Sequence, residues 1–397
     1  MLKGKTIILG VTGSIAAYKI ASLASMLVKL HADVTVIMTH NATNFINPIT
    51  FETLTGNKCL VDTFDRNFEY SVEHVSIGKK ADICMVAPAS ANIIGKMANG
   101  IADDMLSTTV LACKCTKVVA PAMNTNMYTN PIVKDNMEKL KHYGFEVIKA
   151  DEGYLACGDT GEGKMPSPEI LFEYILKEIA YEKDLAGKRV LVTAGPTRES
   201  IDPVRFITNH STGKMGYAIA KNCMLRGADV TLITGKTSIE TPPFVKVIEV
   251  TSAKDMFEAV KKNYKDMDII IKSAAVADYT PASTSEHKVK KTDQDMQIAL
   301  TRTIDILKFL GENKTTQFVC GFSMETQNLV ENSKAKLKKK NIDMIIANNL
   351  KETGAGFGTD TNIVTIITDK EIKEQPIMPK DEVANNIINE IINSNLL

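Results

Sequence analysis

The sequence predicts an α/β protein built as two doubly wound domains, and three observations carry that prediction. Short apolar runs at 5–11, 33–38, 82–87, 117–120 and 145–148 alternate with helical patterns, as in a parallel sheet with crossover helices. A strand and glycine loop start over at Lys188, where KRVLVT runs into Gly195-Pro196, a buried parallel strand feeding a ligand loop. HADVTVIMT at 31–39 returns as GADVTLITG at 227–235, each behind a helix that follows a glycine loop, a weak internal repeat. The junction AYEKDLAG, 180–187, is polar and closed by glycine, so one domain is expected in residues 1–180 and the other in 186–397.

Composition narrows the function. The 397 residues carry 47 basic and 47 acidic side chains, a balance that argues against nucleic acid as the main partner. No apolar run approaches the roughly 20 residues of a membrane span, and Lys3 and Lys5 lead straight into a strand, unlike a secretory leader. A soluble, cytoplasmic protein is expected. The cysteines at 59, 84, 113, 115, 157, 223 and 320 are odd in number and scattered, which suits a reducing compartment. Cys113-x-Cys115 lacks a second metal-ligand pair and reads as structural.

In the first unit a helix is expected over 14–30, with Ile20, Leu23, Ala24, Leu27 and Leu30 on one face. Its start at Gly13-Ser14 is an anion site, because the first N–H groups of a helix lack partners. The strands at 82–87 and 117–120 run into PASAN (88–92) and PAMN (121–124), loops at the carboxyl end of the sheet, where open α/β folds bind ligands. Leu106-Ser107-Thr108-Thr109 offers helical hydroxyls to a ring or phosphate. His74 taken singly is more often a surface or packing residue than a catalyst. The glycine-rich stretch 151–166 carries Cys157 and is either a linker or a flap closing over a ligand; a regular helix behind it, 168–178, places it inside the domain.

The second unit turns on AGPTRESIDPVRFITNHSTGKMG, 194–216. Arg198 and Arg205 can fork onto carboxylate or phosphate, and 209–216 supplies small hydrogen-bonding residues ahead of a helix expected over 217–226. A nucleotide or phosphorylated substrate is the natural occupant, with an ordinary polar loop as the plainer alternative; G-K here is only half of a Walker A motif. Lys288 and Lys290 share one side if their segment is extended. Lys336 and Lys340 share one face of a helix beginning near Leu329, with Lys338 and Lys339 on the solvated face. Gly354-x-Gly-x-Gly358, before a strand at 363–368, reads as a turn.

Together these residues resemble the family of bifunctional coenzyme A biosynthesis proteins, in which phosphopantothenoylcysteine decarboxylase is fused to phosphopantothenate–cysteine ligase. GSIAAYK (13–19), His74, PASAN, PAMNTNMY (121–128) and ACGDTGEGKM (156–165) resemble the decarboxylase motifs. The 195–216 stretch, AAVADY (274–279), HKVKK (287–291) and GFSMET (321–326) resemble the ligase motifs. Two positions depart: the family often has Trp where Tyr128 stands and Arg where Lys164 stands, and lysine loses the bidentate fork.

The resemblance implies a flavodoxin-like FMN domain followed by a Rossmann-like ligase domain. FMN would lie on Gly13, Ser14, Ile15, Ala16, Thr39, Ser90, Asn92, Ser107, Ala122 and Met123. His74 would assist oxidation of the substrate, Asn124 would hold its carboxylate, and Cys157 would donate the final proton. CTP would meet Lys272, Ser273, Ala274, Asp278, Lys288, Ile304, Asp305, Ile306, Leu307, Phe322, Lys336 and Lys340, with Mg2+ at Asp278 and Asn209 on the acyl-cytidylate. The substrates would be 4′-phosphopantothenate, L-cysteine and CTP, and the assembly decarboxylase trimers joined by ligase dimers. Two rivals remain on sequence alone. A nicotinamide dehydrogenase also starts strand, glycine loop, helix, although neither loop is G-x-G-x-x-G; a non-catalytic flavin- or nucleotide-binding regulator keeps the fold without turnover.

Overall fold

The computed structural model describes residues 1–63, 73–154, 158, 160–291, 296–325, 328–349, 356 and 358–394, without the side chains of 73, 74, 325 and 349. The chain divides into two compact units, Met1–Glu182 and Lys183–Leu397. Among the described residues no helix is long and apolar enough to cross a membrane.

The first unit is a parallel sheet of β1 (Thr6–Val11), β2 (Asp33–Met38), β3 (Ile83–Ala89), β4 (Thr116–Pro121) and β5 (Glu146–Val147), in the order β2-β1-β3-β4-β5. Chain order reverses between β2 and β3 on either side of β1, so the carboxyl end of β1 is the switch point where such sheets take ligands. Its strands are apolar because both faces are covered: β3 is buried along its whole length, as a doubly covered parallel strand must be. β3 extends to Ala89, two residues beyond the expected run. The helix Tyr18–Lys29 buries Ile20, Leu23, Ala24 and Leu27; Leu30 is its half-buried C-cap. The expected first turn, from Ser14, is instead a short 3-10 turn, Ile15–Ala17. After β5 the chain leaves the sheet in an antiparallel hairpin of β6 (Asp151–Tyr154) and β7 (Thr160–Lys164), then enters the helix Pro168–Ile179, capped by Ser167.

The second unit contains β8 (Arg189–Ala194), β9 (Arg198–Ser200), β10 (Phe206–Thr208), β11 (Asp229–Thr234), β12 (Lys246–Glu249), β13 (Ile269–Lys272), β14 (Tyr279–Pro281), β15 (Leu300–Arg302), β16 (Phe318–Glu325) and β17 (Met344–Asn349). Six of them form a parallel sheet, β12-β11-β8-β13-β16-β17, and the antiparallel strands Val364–Thr368 and Ile372–Glu374 complete it. β9 with β10, and β14 with β15, are small antiparallel hairpins outside that sheet. The helix after β10 spans Lys214–Leu225 and starts three residues before the expected position, because Gly213, at φ 86°, is its N-cap. A cluster of Leu191, Ile233, Ile270, Val319, Ile345 and Ile367 from the strands packs on Met256, Phe257, Val260, Leu307, Leu310 and Leu337 from the helices.

One close approach in this unit joins packing to the cationic cavity described below. Gly311, on the buried face of the helix Ile306–Asn313, lies where an added Cβ would sit 1.7 Å from the backbone oxygen of Lys340. Gly311→Ala must therefore push the end of the helix Leu329–Lys339 away, an overpacking that costs about 1–3 kcal/mol. The expected outcome is a lower melting temperature for the second unit, read by calorimetry. Unchanged melting would show that the two helices separate freely.

Candidate functional site

In the first unit a buried threonine laces the sheet edge together. Thr12 Oγ1 donates to the Pro88 carbonyl at 2.6 Å and accepts from Ser90 N–H at 3.0 Å. Thr39 N–H donates to Val11 O at 2.9 Å, and Ala122 N–H donates to Ala89 O at 3.0 Å. The loops carrying Gly13 to Ala16, Thr39, Ser90 and Ala122 thus meet at one edge. Ser14 Oγ accepts from Ala16 N–H at 3.4 Å, and Ile15 stands 55% exposed beside it. Ser90 caps the helix Ala91–Ala98 without a side-chain bond, leaving Asn92 on its exposed first turn. The hydroxyl of Thr39 is buried there with no hydrogen-bond partner among the described residues, a group that calls for a ligand acceptor or donor. Ser107 differs: its hydroxyl is committed to Asp104 Oδ1 at 2.8 Å in a capping box, and Thr109 bonds back to Met105 O. These helical hydroxyls serve the helix itself.

The β6–β7 hairpin presses on the loop after β4. Met123 N–H donates to Gly163 O at 3.0 Å, and a Cβ at Gly163, whose φ is 123°, would lie 2.4 Å from Met123 O. Only glycine permits that contact. Asn124 caps the short helix Thr125–Tyr128, its Oδ1 accepting from Asn126 N–H at 2.8 Å, so its carboxamide has a fixed orientation. Tyr128 is buried and its hydroxyl accepts from Ala150 N–H. His74 lies on the helix Glu73–Lys80, its side chain outside the description. Cys157, between β6 and β7 in the chain, lies outside the described residues.

In the second unit two adjoining cavities share Lys272, Val276, Asp278, Phe322 and Lys336. The first, of about 430 Å³, is lined by Lys272, Asp278, Ile304, Asp305, Ile306, Leu307, Phe322, Lys336 and Lys340, with Arg302 added. It holds four cations against two carboxylates. Lys340 is paired with Asp305, which also caps the helix Ile306–Asn313 through Lys308 N–H, and both contacts hold the Asp305 carboxyl below its usual range despite burial. Lys272 Nζ donates to the Ala274 carbonyl at 3.1 Å. Burial, then the neighbouring Lys336 and Lys340 ammoniums, pull Lys272 down to about 8 against the opposing pull of Asp305 and Asp278.

The second cavity, of about 310 Å³, brings in Asn209, Ser273, Ala274 and the 211–216 turn. Its floor is zipped: Ala274 N–H donates to Thr193 Oγ1 at 3.2 Å, Ala277 N–H to Thr197 Oγ1 at 3.0 Å, and Asn209 Nδ2 to Ala275 O at 3.0 Å. Residues that the sequence did not single out also line it. Lys380 is buried, donating to Gly356 O at 3.0 Å and to Thr359 O. Asn348 is buried at the end of β17, and its Oδ1 has no partner among the described residues. The apolar run IIANN ending in paired amides was a legible signal for Asn348; Lys380 offered none. Gly354 lies outside the described residues.

Three cationic expectations come out differently. Arg205 forks onto the carboxylate of Asp202, three residues earlier, at 2.6 and 3.0 Å, and Arg198 stacks on the Phe206 ring at 4.6 Å. Lys288 is exposed and lines neither cavity. No group of three or more His, Cys, Asp or Glu suited to a metal occurs among the described residues.

Residues 1–180 match the family described as Flavoprotein, and residues 185–395 match the DNA/pantothenate metabolism flavoprotein C-terminal domain. The chain is 49% identical over 395 residues to the Coenzyme A biosynthesis bifunctional protein CoaBC of Bacillus subtilis, covering 98% of this chain and 97% of that protein. It is 43% identical to the protein of the same name from Borreliella burgdorferi, covering 98% of this chain and 99% of that one. A crystal structure of the C-terminal domain of a Coenzyme A biosynthesis bifunctional protein CoaBC is 45% identical, with a TM-score of 0.47, and covers 54% of this chain and 98% of that chain.

The depressed Lys272 sets a pH dependence. Free protein holds this group charged below about 8 and neutral above it; a bound polyphosphate favours the charged form and raises its pKa. Affinity for inorganic tripolyphosphate, used as the probe, should therefore be flat below pH 7 and fall up to about tenfold per pH unit above 8, with proton uptake on binding. Calorimetry in two buffers of different ionisation enthalpy at pH 8.5 measures the uptake, and Lys272→Met should abolish it. A wild-type affinity level from pH 7 to pH 9 would refute the assignment.

Proposed function

The chain belongs to the family of bifunctional coenzyme A biosynthesis proteins, and from that premise we propose two consecutive reactions. The second unit joins 4′-phosphopantothenate to L-cysteine using CTP, and the first unit decarboxylates the product to 4′-phosphopantetheine with FMN. The observation that carries this reading is the cationic cavity, on which nine of the residues expected to meet a nucleotide converge. A dehydrogenase finds no support among the relatives.

A carboxylate resists amines until it carries a leaving group. In the ligase reading the 4′-phosphopantothenate carboxylate attacks the α-phosphorus of CTP, pyrophosphate departs, and an acyl-cytidylate forms. Lys272 and Lys336 supply positive charge where the phosphates gather it, Lys340 holds Asp305 in place beside them, and Lys288, outside both cavities, adds charge from the HKVKK segment. Phe322 packs by the base. The cysteine amine then attacks the acyl carbon, and CMP leaves. Asn209, fixed by Ala275 O, offers its amide to the intermediate. Asp278 would hold Mg2+ together with the substrate phosphates, since this ion commonly takes one or two carboxylates plus phosphate oxygens.

The first unit fits FMN at the carboxyl edge of β1, where the orphaned Thr39 hydroxyl and the Ser14 turn offer polar partners. Bound there, FMN supplies the two-electron acceptor that lets the carbanion left by CO2 loss delocalise toward sulfur. Asn124 offers its NH2 end to the substrate carboxylate, His74 takes a proton, and the Cys157 thiol returns one. Gly163 against Met123 O and Gly161 against Thr125 bring the β6–β7 hairpin onto the residues flanking Asn124. Assembly into decarboxylase trimers joined by ligase dimers belongs to the same reading.

Two experiments test it. Purified protein given CTP, 4′-phosphopantothenate and cysteine should release pyrophosphate, CMP and CO2, and Cys157→Ser should still release CO2 while an enethiol accumulates, detectable by mass. No pyrophosphate, or CO2 release with normal completion in that variant, counts against the assignments. Thr39→Val should weaken FMN binding about tenfold, the scale of one lost buried hydrogen bond, read by quenching of flavin fluorescence. Equal affinity would remove Thr39 from the site.

A further inference from the structure

We infer that Asp202 is a positioning residue for the ligase reaction: with Arg205 it clamps Val289 and so fixes Lys288 and Lys290 on one side of their segment. The inference rests on the proposed role of Lys288. Asp202 sits in the turn between β9 and β10, and its side chain is wholly buried although the turn is exposed around it. Oδ1 accepts from Val204 N–H and Arg205 N–H, each at 2.8 Å, which closes the turn. Oδ2 accepts from Arg205 Nε at 3.0 Å and Nη2 at 2.6 Å, and also from Val289 N–H at 3.1 Å. Arg205 Nη2 in turn donates to Val289 O at 3.0 Å. Both backbone groups of Val289 are therefore held by one ion pair.

A residue held at both its N–H and its C=O has its peptide planes fixed, and the Cα atoms of its two neighbours are placed with it, their side chains leaving from one side where the segment is extended. Those neighbours are Lys288 and Lys290, both exposed. Among the described residues the other bonds of this stretch lie before Lys288: Ser285 N–H donates to Ile201 O at 3.0 Å, Thr284 Oγ1 to Ser200 O at 3.2 Å and Ser285 Oγ to His287 O at 2.6 Å. Neither lysine has a carboxylate partner among the described residues. The same hairpin delivers Asn209 one residue after β10. Its turn thus sets the cation assigned to the first half-reaction, and its far end sets the amide assigned to the intermediate.

The alternative role for Asp202 is stability of the turn alone, and a coupling measurement separates the two. Pyrophosphate release from CTP and 4′-phosphopantothenate is measured without cysteine for Asp202→Asn, Arg205→Met and Lys288→Gln in the full-length protein, and for each clamp variant combined with Lys288→Gln. We expect each clamp variant to slow release about 10²-fold, and by less than about threefold when Lys288 is already gone, because residues acting through one group are not additive. Trypsin should also cut after Lys288, Lys290 and Lys291 about tenfold faster in the clamp variants, since a lost tether raises local opening. Arg205→Met, at a side chain 42% exposed, covers the case in which Asp202→Asn does not fold. Wild-type release in the clamp variants, or a loss that multiplies fully with Lys288→Gln, overturns the inference. If Lys288→Gln itself releases pyrophosphate normally, the reading of Lys288 fails, and the clamp then stands or falls on whether trypsin cleavage accelerates.

Discussion

Buried threonines at the carboxyl ends of the first strands are the contacts on which the sites of both units depend. A parallel sheet leaves the backbone of its crossing loops to find partners beyond the last rung. Thr12 solves this in one unit by taking both Pro88 O and Ser90 N–H. Thr193 and Thr197 solve it in the other, each accepting an N–H from the 273–277 loop. All three are essentially inaccessible, so a lost partner would leave a dry polar group, at about 1–3 kcal/mol each. The loops are pinned to one edge for reasons of backbone satisfaction, and ligand geometry follows from that.

Given the edge, charge is what divides the cationic cavity. Lys340 is neutralised by Asp305, and this pair ties the end of one helix to the start of another. Lys272 and Lys336 instead meet neutral oxygens, of Ala274 and Ser323. One lysine thus serves as scaffold while two keep charge available for an incoming anion. Burial first, and then the neighbouring Lys336 and Lys340 ammoniums, draw the Lys272 ammonium below its ordinary range.

Much of this was legible in the sequence because the strands are short apolar runs with polar stops. β2 falls at the expected residues, and β1, β4 and β8 lie within a residue at their starts. The misses have physical causes. Gly213-Lys214-Met215 read as loop because its glycine, in the left-handed region, caps the helix where a serine or aspartate would have announced it. Arg205 read as a ligand hook, yet Asp202 stands three residues before it and completes the fork within a turn. The β9–β10 and β14–β15 hairpins are three-residue strands, too short for periodicity to mark. Lys380 and Asn348 reach the cavity from separate elements far along the chain, a convergence that local spacing does not encode.

The two units also share a division between what binds and what reacts. Groups expected to hold nucleotide or flavin lie on loops rigidly laced to the main sheets. Three of the groups assigned to chemical steps, Cys157, Asn209 and Lys288, come from small two-stranded hairpins or from segments attached to them in the chain, while His74 comes from a helix. A hairpin of three to five residues per strand has few bonds to hold it, so each is fixed by a specific device. For β6–β7 the device is glycine contact with Met123 and Thr125; for β9–β10 it is the Asp202–Arg205 ion pair. A rigid sheet edge can hold a ligand but cannot present a group from outside the sheet, whereas a hairpin fastened at one or two points can. That separation lets one sheet architecture, repeated in a single chain, carry out two unrelated reactions.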